Sequence, residues 1–360
     1  MTEPFDNPIG VDGFEFVEFT GPDPEALKSA FEQMGFTAVA RHRAKNVLRF
    51  KQGDINFILN MEPAGQPAAF RAAHGPSANA MAFRVKDAAL AFGEAVRRGA
   101  KPVDSPIGPM ELDIPCIEGI GGVFVYLIDR YGAQTIYDVD FKPIEGAEAR
   151  EAANGVGLTY IDHLTHNVAR GNMSVWADYY QRIFNFREIR HFDIEGKVTG
   201  LISRAMTSPC GKIRIPLNES KGDEGKLDQI EEFLRRYRGE GIQHIALGAA
   251  DLFESVDRLR ANGVALQDTP DTYYDLLDTR LPGHGHDVEA LRARRILIDG
   301  NPSGGLLLQI FGKDAVGPIF FEFIQRKGDE GFGEGNFRAL FESIELDQIR
   351  RGVLKAGDAA

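Results

Sequence analysis

The chain has 360 residues, 43% apolar and 26% charged, a balance that suits an ordinary globular protein of two domains or one large one and excludes a collagen, a coiled coil or a disordered tail. Its 53 acidic side chains outnumber 41 basic ones, giving a net charge of -12, so nucleic acid and anionic membrane are poor partners. Two cysteines without CxxC spacing and an N-terminus lacking an apolar export segment predict a reducing cytoplasm, and no apolar run approaches the roughly 20 residues that cross a bilayer.

In chain order, a strand over 13–19 (GFEFVEF) is followed by Pro22, Asp23 and Pro24, which suit a helix start, and by an amphipathic run over 25–34 that Gly35 ends. Extended segments follow at 47–50 and 55–60, separated by the turn signal Gln52-Gly53-Asp54. The same order recurs from Leu158: a strand over 160–168, a helix through Val175, Trp176, Tyr179, Tyr180 and Ile183, and strands near 198–206 and 212–218. MGFTAVAR (34–41) and FNFREIR (184–190) occupy equivalent places. A second pair of copies runs over 80–104 and 244–268, with Asp87 matching Asp251 and Gly99 matching Gly263 at a constant offset of 164 (251 − 87). The chain therefore reads as two halves of two strand-helix-strand-strand units each, joined by the Gly- and Ala-rich, weakly patterned segment 146–157.

The halves differ in chemistry. Six of eight histidines lie in the second, and two of them interrupt apolar strands: His163 in YIDHLTHNV and His244 in GIQHIALGA. Glu322 interrupts PIFFEFIQR, where an ionised carboxylate needs a cation because its desolvation costs several kcal/mol. The matching first-half positions fall near Glu15, Ala80 and Tyr126, so the donor set belongs to one half alone. Strand alternation puts His166 on the face opposite His163. Two histidines and a carboxylate from three strands would form a facial triad with open positions, the arrangement of non-haem Fe(II) oxygen chemistry, although Mn(II), Zn(II) and Ni(II) fit the same donors. His284 and His286, in LPGHGHD, read as a flexible surface loop and poor ligands. No phosphate-binding glycine loop, Ser-His-Asp or Cys-His arrangement is present.

IDHLTHNV, IRIPLNE, GEGIQHIAL, LLLQIF, FFEFIQRKGDEGFGEGNFRALFESIE and QIRRGVL resemble the 4-hydroxyphenylpyruvate dioxygenases of bacterial type, within the vicinal oxygen chelate superfamily. The resemblance spans nearly the whole chain and is densest in its last third. It implies an α+β fold of two domains, 1–150 and 151–360, each of paired βαβββ modules forming open barrel-like sheets with helices outside. Only the second would hold Fe(II), through His163, His244 and Glu322. A substrate pocket is implied at Ser203, Pro216, Asn218, Gln229, Gln243, Gln309, Phe311, Phe320, Phe332, Asn336 and Phe337. Gln243, beside His244, reaches that face only if a bulge intervenes. Phe337, Leu340, Phe341 and Ile344 share one face of a C-terminal helix that would close over the pocket as a lid.

The implied substrates are 4-hydroxyphenylpyruvate, whose α-keto acid supplies the electrons, and O2, and the implied products are CO2 and, after ring attack and side-chain migration, homogentisate. Relatives of this type imply a homo-oligomer, a tetramer ahead of a dimer, with the donor-free half available for the subunit contact. Two rivals share the fold. A 4-hydroxymandelate synthase would hydroxylate the benzylic carbon of the same substrate; retention of Pro216-Leu217-Asn218 and Asn336-Phe337 favours ring attack. A non-catalytic small-molecule-binding protein would need no donor set.

Overall fold

A computed structural model describes residues 5–104, 107–108, 110–195, 200–221 and 228–336. The first sheet contains β1 (Val11–Thr20), β2 (Thr37–His42), β3 (Val47–Gln52), β4 (Ile55–Asn60), β5 (Ser77–Val85), β6 (Cys116–Glu118), β7 (Phe124–Ile128) and β8 (Phe141–Pro143). The second contains β9 (Leu158–Val168), β10 (Arg187–Glu195), β11 (Gly200–Thr207), β12 (Arg214–Ser220), β13 (Gly241–Ala249), β14 (Leu297–Asn301), β15 (Gly305–Phe311) and β16 (Phe320–Lys327). Their orders, β8-β2-β3-β4-β1-β5-β7-β6 and β10-β11-β12-β9-β13-β16-β15-β14, superimpose strand for strand from β2 to β6, so the duplication read in the sequence is a duplication of topology. Where the second sheet ends in β14, the first gains β8 on its opposite edge.

The matched residues act as matched parts. Asp87 and Asp251 cap the helices Ala88–Arg97 and Leu252–Ala261, their side chains accepting from Leu90 N and from Phe253 and Glu254 N. Gly99 and Gly263 follow those helices at φ of 89° and 85°, where a Cβ would be strained. In the first module Asp23 caps Pro24–Gln33, with Pro24 at the first helical position.

The structure corrects the sequence reading in three places. Each leading unit has three strands after its helix, because the segments beginning at Thr37 and Arg187 are the strands β2 and β10. Residues 147–154 of the presumed joining segment form a helix, Ala147–Asn154, packed on β2. His284 is buried and within 3.0 Å of Asp278 Oδ1, while His286 stacks on Phe253 at 5.8 Å between centroids, so LPGHGHD is an anchored turn. The residues of the expected lid helix from Phe337 onward, and 222–227, lie outside the described residues.

One apolar core serves both sheets. Phe19 and Phe57 of the first half, backed by Phe31 and Phe36, reach Phe321 of the second, with the Phe57 and Phe321 rings 5.8 Å apart, and Phe83 meets Phe184 edge to face at 5.3 Å. Among the described residues no helix is long and apolar enough to cross a membrane.

Candidate metal centre

The central strand of the second sheet positions the donors. On β13, Ala246 stands opposite His163 of β9 on one side and Glu322 of β16 on the other, and His244 lies two residues away on the same face. The small Ala246 leaves the long side chains room to meet above it. His163, His244 and Glu322 are 3%, 9% and 2% exposed, and one donor atom from each lies within 4.8 Å of the others. Both imidazoles turn Nε2 toward Glu322 Oε2, at 3.1 Å from His163 and 3.5 Å from His244.

Local backbone irregularities hold the rings. Asp162 and Gln243 are each an extra residue in the β9/β13 ladder, which skips between Ile161 and His163 and between Ile242 and His244. Such bulges re-aim a side chain out of strict alternation. Each bulged residue turns back on the histidine that follows it: His163 Nδ1–H donates to Asp162 Oδ1 and His244 Nδ1–H to Gln243 Oε1, both at 2.8 Å. With Nδ1 protonated, the Nε2 lone pairs face the centre. This is the second layer that metal-binding histidines use.

Asp162 is itself clamped. Arg326 donates Nε to Oδ2 at 2.7 Å and Nη2 to Oδ1 at 2.8 Å, a bidentate pair, and its Nη1 reaches the carbonyls of Asp329 and Gly331 at 3.0 and 2.6 Å. Those carbonyls belong to the turn that lays Phe332 edge-on against His163, ring centroids 5.4 Å apart. On the other side, Glu322 Oε1 accepts from Gln309 Nε2 at 2.6 Å, Gln309 Oε1 from Asn336 Nδ2 at 2.6 Å, and Asn336 Oδ1 from the Tyr273 hydroxyl at 2.6 Å. Two chains of hydrogen bonds thus tie the segment 329–336 to the donors.

Electrostatics follow from this packing. Burial pushes the Glu322 carboxyl up, but when the two imidazoles carry a second proton, on Nε2, their hydrogen bonds outweigh it and bring it down to about 2. Burial likewise opposes ionisation of Asp162, and Arg326 and His163 together hold it well below the ordinary carboxylate range. For His163, burial favours the neutral ring but the bonds to Asp162 and Glu322 raise it; for His244, burial prevails and lowers it. Two imidazoles and one carboxylate, buried and open on one side, fit a divalent metal with free coordination positions.

Of the residues expected in the pocket, Ser203, Pro216, Asn218, Phe311 and Phe332 line a cavity of about 50 Å³ above the donors, joined there by Thr165, Phe192, Leu201 and Glu334. Gln309, Gln243 and Asn336 instead spend their side chains on the hydrogen bonds just described, and Phe320 stacks on His244 at 4.9 Å. Gln229 is not brought to the site; it is exposed at the first position of the helix Gln229–Tyr237. Phe337 lies outside the described residues. The first-half counterpart of His163 is Phe16, not its neighbour Glu15, because Phe16 faces Ala82 as His163 faces Ala246. Asp162 and Arg326 went unread, although both ligand histidines directly follow a residue with a side-chain carbonyl or carboxylate, Asp-His and Gln-His.

Gly333 makes the segment's close approach possible. It sits at φ 78°, and a Cβ there would overlap the Gln309 amide. Gly333→Ala should displace Gln309 from Glu322 and lower kcat by about 100-fold, the scale of a 1 Å misplacement, with the metal retained; steady-state kinetics beside a metal assay checks this.

Fold and donor set together define a vicinal oxygen chelate protein with, among the described residues, one candidate two-histidine, one-carboxylate site. The profile of the Glyoxalase/Bleomycin resistance protein/Dioxygenase superfamily matches residues 160–278, and that of the hydroxyphenylpyruvate dioxygenase N-terminal region matches 5–142. The chain is 62% identical to the 4-hydroxyphenylpyruvate dioxygenase of Pseudomonas aeruginosa, over 97% of each chain, and 60% identical to a Vibrio vulnificus protein named Hemolysin VllY, over 97% of this chain and 98% of the other. Among solved structures, a mutant of the 4-hydroxymandelate synthase of Streptomyces coelicolor superimposes with a TM-score of 0.80 at 25% identity, covering 94% of this chain and 99% of that one. The chain belongs to the 4-hydroxyphenylpyruvate dioxygenase family.

Proposed function

We propose that the chain is an Fe(II)-dependent 4-hydroxyphenylpyruvate dioxygenase of tyrosine catabolism, converting 4-hydroxyphenylpyruvate and O2 to homogentisate and CO2. The observation that carries this reading is the convergence of His163, His244 and Glu322 beneath an aromatic cavity, in a chain with full-length relatives of that activity. His163, His244 and Glu322 would hold ferrous iron, which would bind and activate dioxygen and the keto acid, with the keto acid itself as the reductant.

The protein's own side chains supply geometry. Asp162 and Gln243 keep each Nδ1 protonated, so the imidazoles bind as neutral ligands and stay in one orientation. Gln309 fixes the carboxylate plane of Glu322 through Oε1 and leaves Oε2 toward the centre. Phe311 and Phe332 provide flat walls for a phenyl ring, and Ser203 and Asn218 provide the polar groups that can address its hydroxyl or its carboxylate end. Phe332, edge-on to His163, excludes water from the reacting oxygen atoms. Arg326 and Asn336 fasten the segment 329–336, so Phe332 and Glu334 form one wall of the space a substrate would enter.

In this reading residues 151–360 form the catalytic domain and 1–150 a metal-free one, in a cytoplasmic homo-oligomer with tetramers favoured. The 4-hydroxymandelate synthase alternative has a structural neighbour in its favour. Incubating the Fe(II) protein with 4-hydroxyphenylpyruvate and separating the products chromatographically decides between them: homogentisate is expected, and 4-hydroxymandelate as the main product would overturn the assignment.

A further inference from the structure

The first sheet has kept the active-site position and changed its contents. By register, Phe16, Glu18, Val47, Ile58, Asn60 and Tyr126 stand where His163, Thr165, Ser203, Pro216, Asn218 and Glu322 stand in the second sheet. All six line a cavity of about 400 Å³, within the range of small-molecule sites. The positions of the three donors are occupied by Phe16, Ala80 and Tyr126, so this chamber has none of the metal site's donors.

What remains has a definite polarity. Phe16 and Tyr126 face each other at 5.8 Å, and Tyr137 and Phe141 extend the aromatic wall. Glu18, 7% exposed, stands among them. One of its oxygens, Oε1, accepts from Asn79 Nδ2 at 2.6 Å and Asn60 Nδ2 at 3.0 Å. Those two amides orient the carboxyl but bring no positive charge. Burial raises Glu18 to about 7, outweighing the two amides and the more distant attraction of Lys45, whose ammonium is bonded to Glu111. Around the chamber Glu62, Asp104, Glu111 and Asp140 add acidic groups, against Lys45, which pairs with Glu111 at 2.8 Å, and His42.

We propose that this chamber of the metal-free half is a second small-molecule site, selective for a compact arylalkyl ammonium ion whose ring lies against Phe16 and Tyr126 and whose ammonium meets Glu18. A positive ligand is favoured because it compensates a desolvated carboxyl in a net-acidic enclosure, and an aromatic one because the walls offer π faces to both ring and cation. An anionic arylpyruvate would meet the same carboxyls unfavourably, which separates the two chambers of one chain by charge.

Tyramine titrated calorimetrically into the Fe(II)-loaded full chain tests this, with 4-ethylphenol as the uncharged comparator. Saturable one-to-one binding of tyramine, weakened about tenfold or more both in 4-ethylphenol and in Glu18→Gln, is expected, since a charge-assisted hydrogen bond is lost in each case. Ile58→Trp, which fills the chamber, should abolish binding. Homogentisate formation should be unchanged in both variants, which also reports that they are folded. If Ile58→Trp loses that activity, Glu18→Gln alone decides. The proposal is overturned if tyramine does not saturate, if Glu18→Gln binds it as well as the parent, or if 4-hydroxyphenylpyruvate displaces it competitively, which would place it at the metal site.

Discussion

Glu322→Gln is expected to abolish homogentisate formation and strip the metal. The substitution keeps size and shape but removes the only anionic donor from a site whose other two members are held as neutral imidazoles. Removing one partner from a buried charged set costs about 3–5 kcal/mol, which corresponds to a roughly 10²- to 10⁴-fold fall in metal affinity. The chain should still fold, because Gln retains an acceptor for Gln309 and burial of an uncharged amide is less costly than burial of an unpaired carboxylate. Metal content after gel filtration, circular dichroism and product formation separate these outcomes. A variant that retains iron and makes homogentisate at the parental rate would remove Glu322 from the mechanism and the proposed function with it.

Arg326→Leu should be the most damaging single change away from the donors. Arg326 is the bidentate partner of Asp162, a carboxylate with no solvent exposure at its side chain, and it also holds the carbonyls of Asp329 and Gly331. Leaving that carboxylate with only His163 and the longer 3.4 Å contact to Arg214 should cost about 3 kcal/mol in urea or thermal denaturation. Because Asp162 orients His163, metal affinity should fall a further 10- to 100-fold. The pH dependence distinguishes this from a simple packing defect. In the parent, Asp162 lies below its unfolded value of 3.8, so its contribution is fully present above that value and is lost as the pH falls through the lower folded value. In the variant the largest opposing influence, burial, acts with less compensation and raises the carboxyl. The deficit should therefore be greatest at neutral pH and shrink on acidification, as protonation relieves the buried charge. A deficit independent of pH would show that Arg326 acts only as packing.

The legible parts of this molecule were those with local causes. Asp87 and Asp251 could be paired because each is a helix cap, and Gly99 and Gly263 because each ends a helix with positive φ, so their common offset reported the duplication directly. His163, His244 and Glu322 stood out because a polar group inside an apolar strand demands a partner. Elements without such a demand were missed. β10 is an edge strand whose sequence, REIRHFDIE, is charged along its length, so alternation barely registers. The helix Ala147–Asn154 buries only Ala147 and presents no apolar stripe to read. Arg326 serves Asp162 across 164 residues, and no local pattern announces such a pairing. Gln243 could be placed beside His244 only once the bulge was seen, since strict alternation aims it the other way.

Phe321 gives the donor-free half a reason to persist. Adjacent to Glu322 on β16, its ring projects to the reverse side of the strand and lodges between Phe19 and Phe57 of the first sheet. The carboxylate ligand is therefore seated on a keystone whose socket belongs to the other copy. Removal of the donor-free copy would lay bare this aromatic plug and loosen the strand bearing Glu322. The first half therefore serves the metal centre through bulk alone, without contributing a donor atom to it.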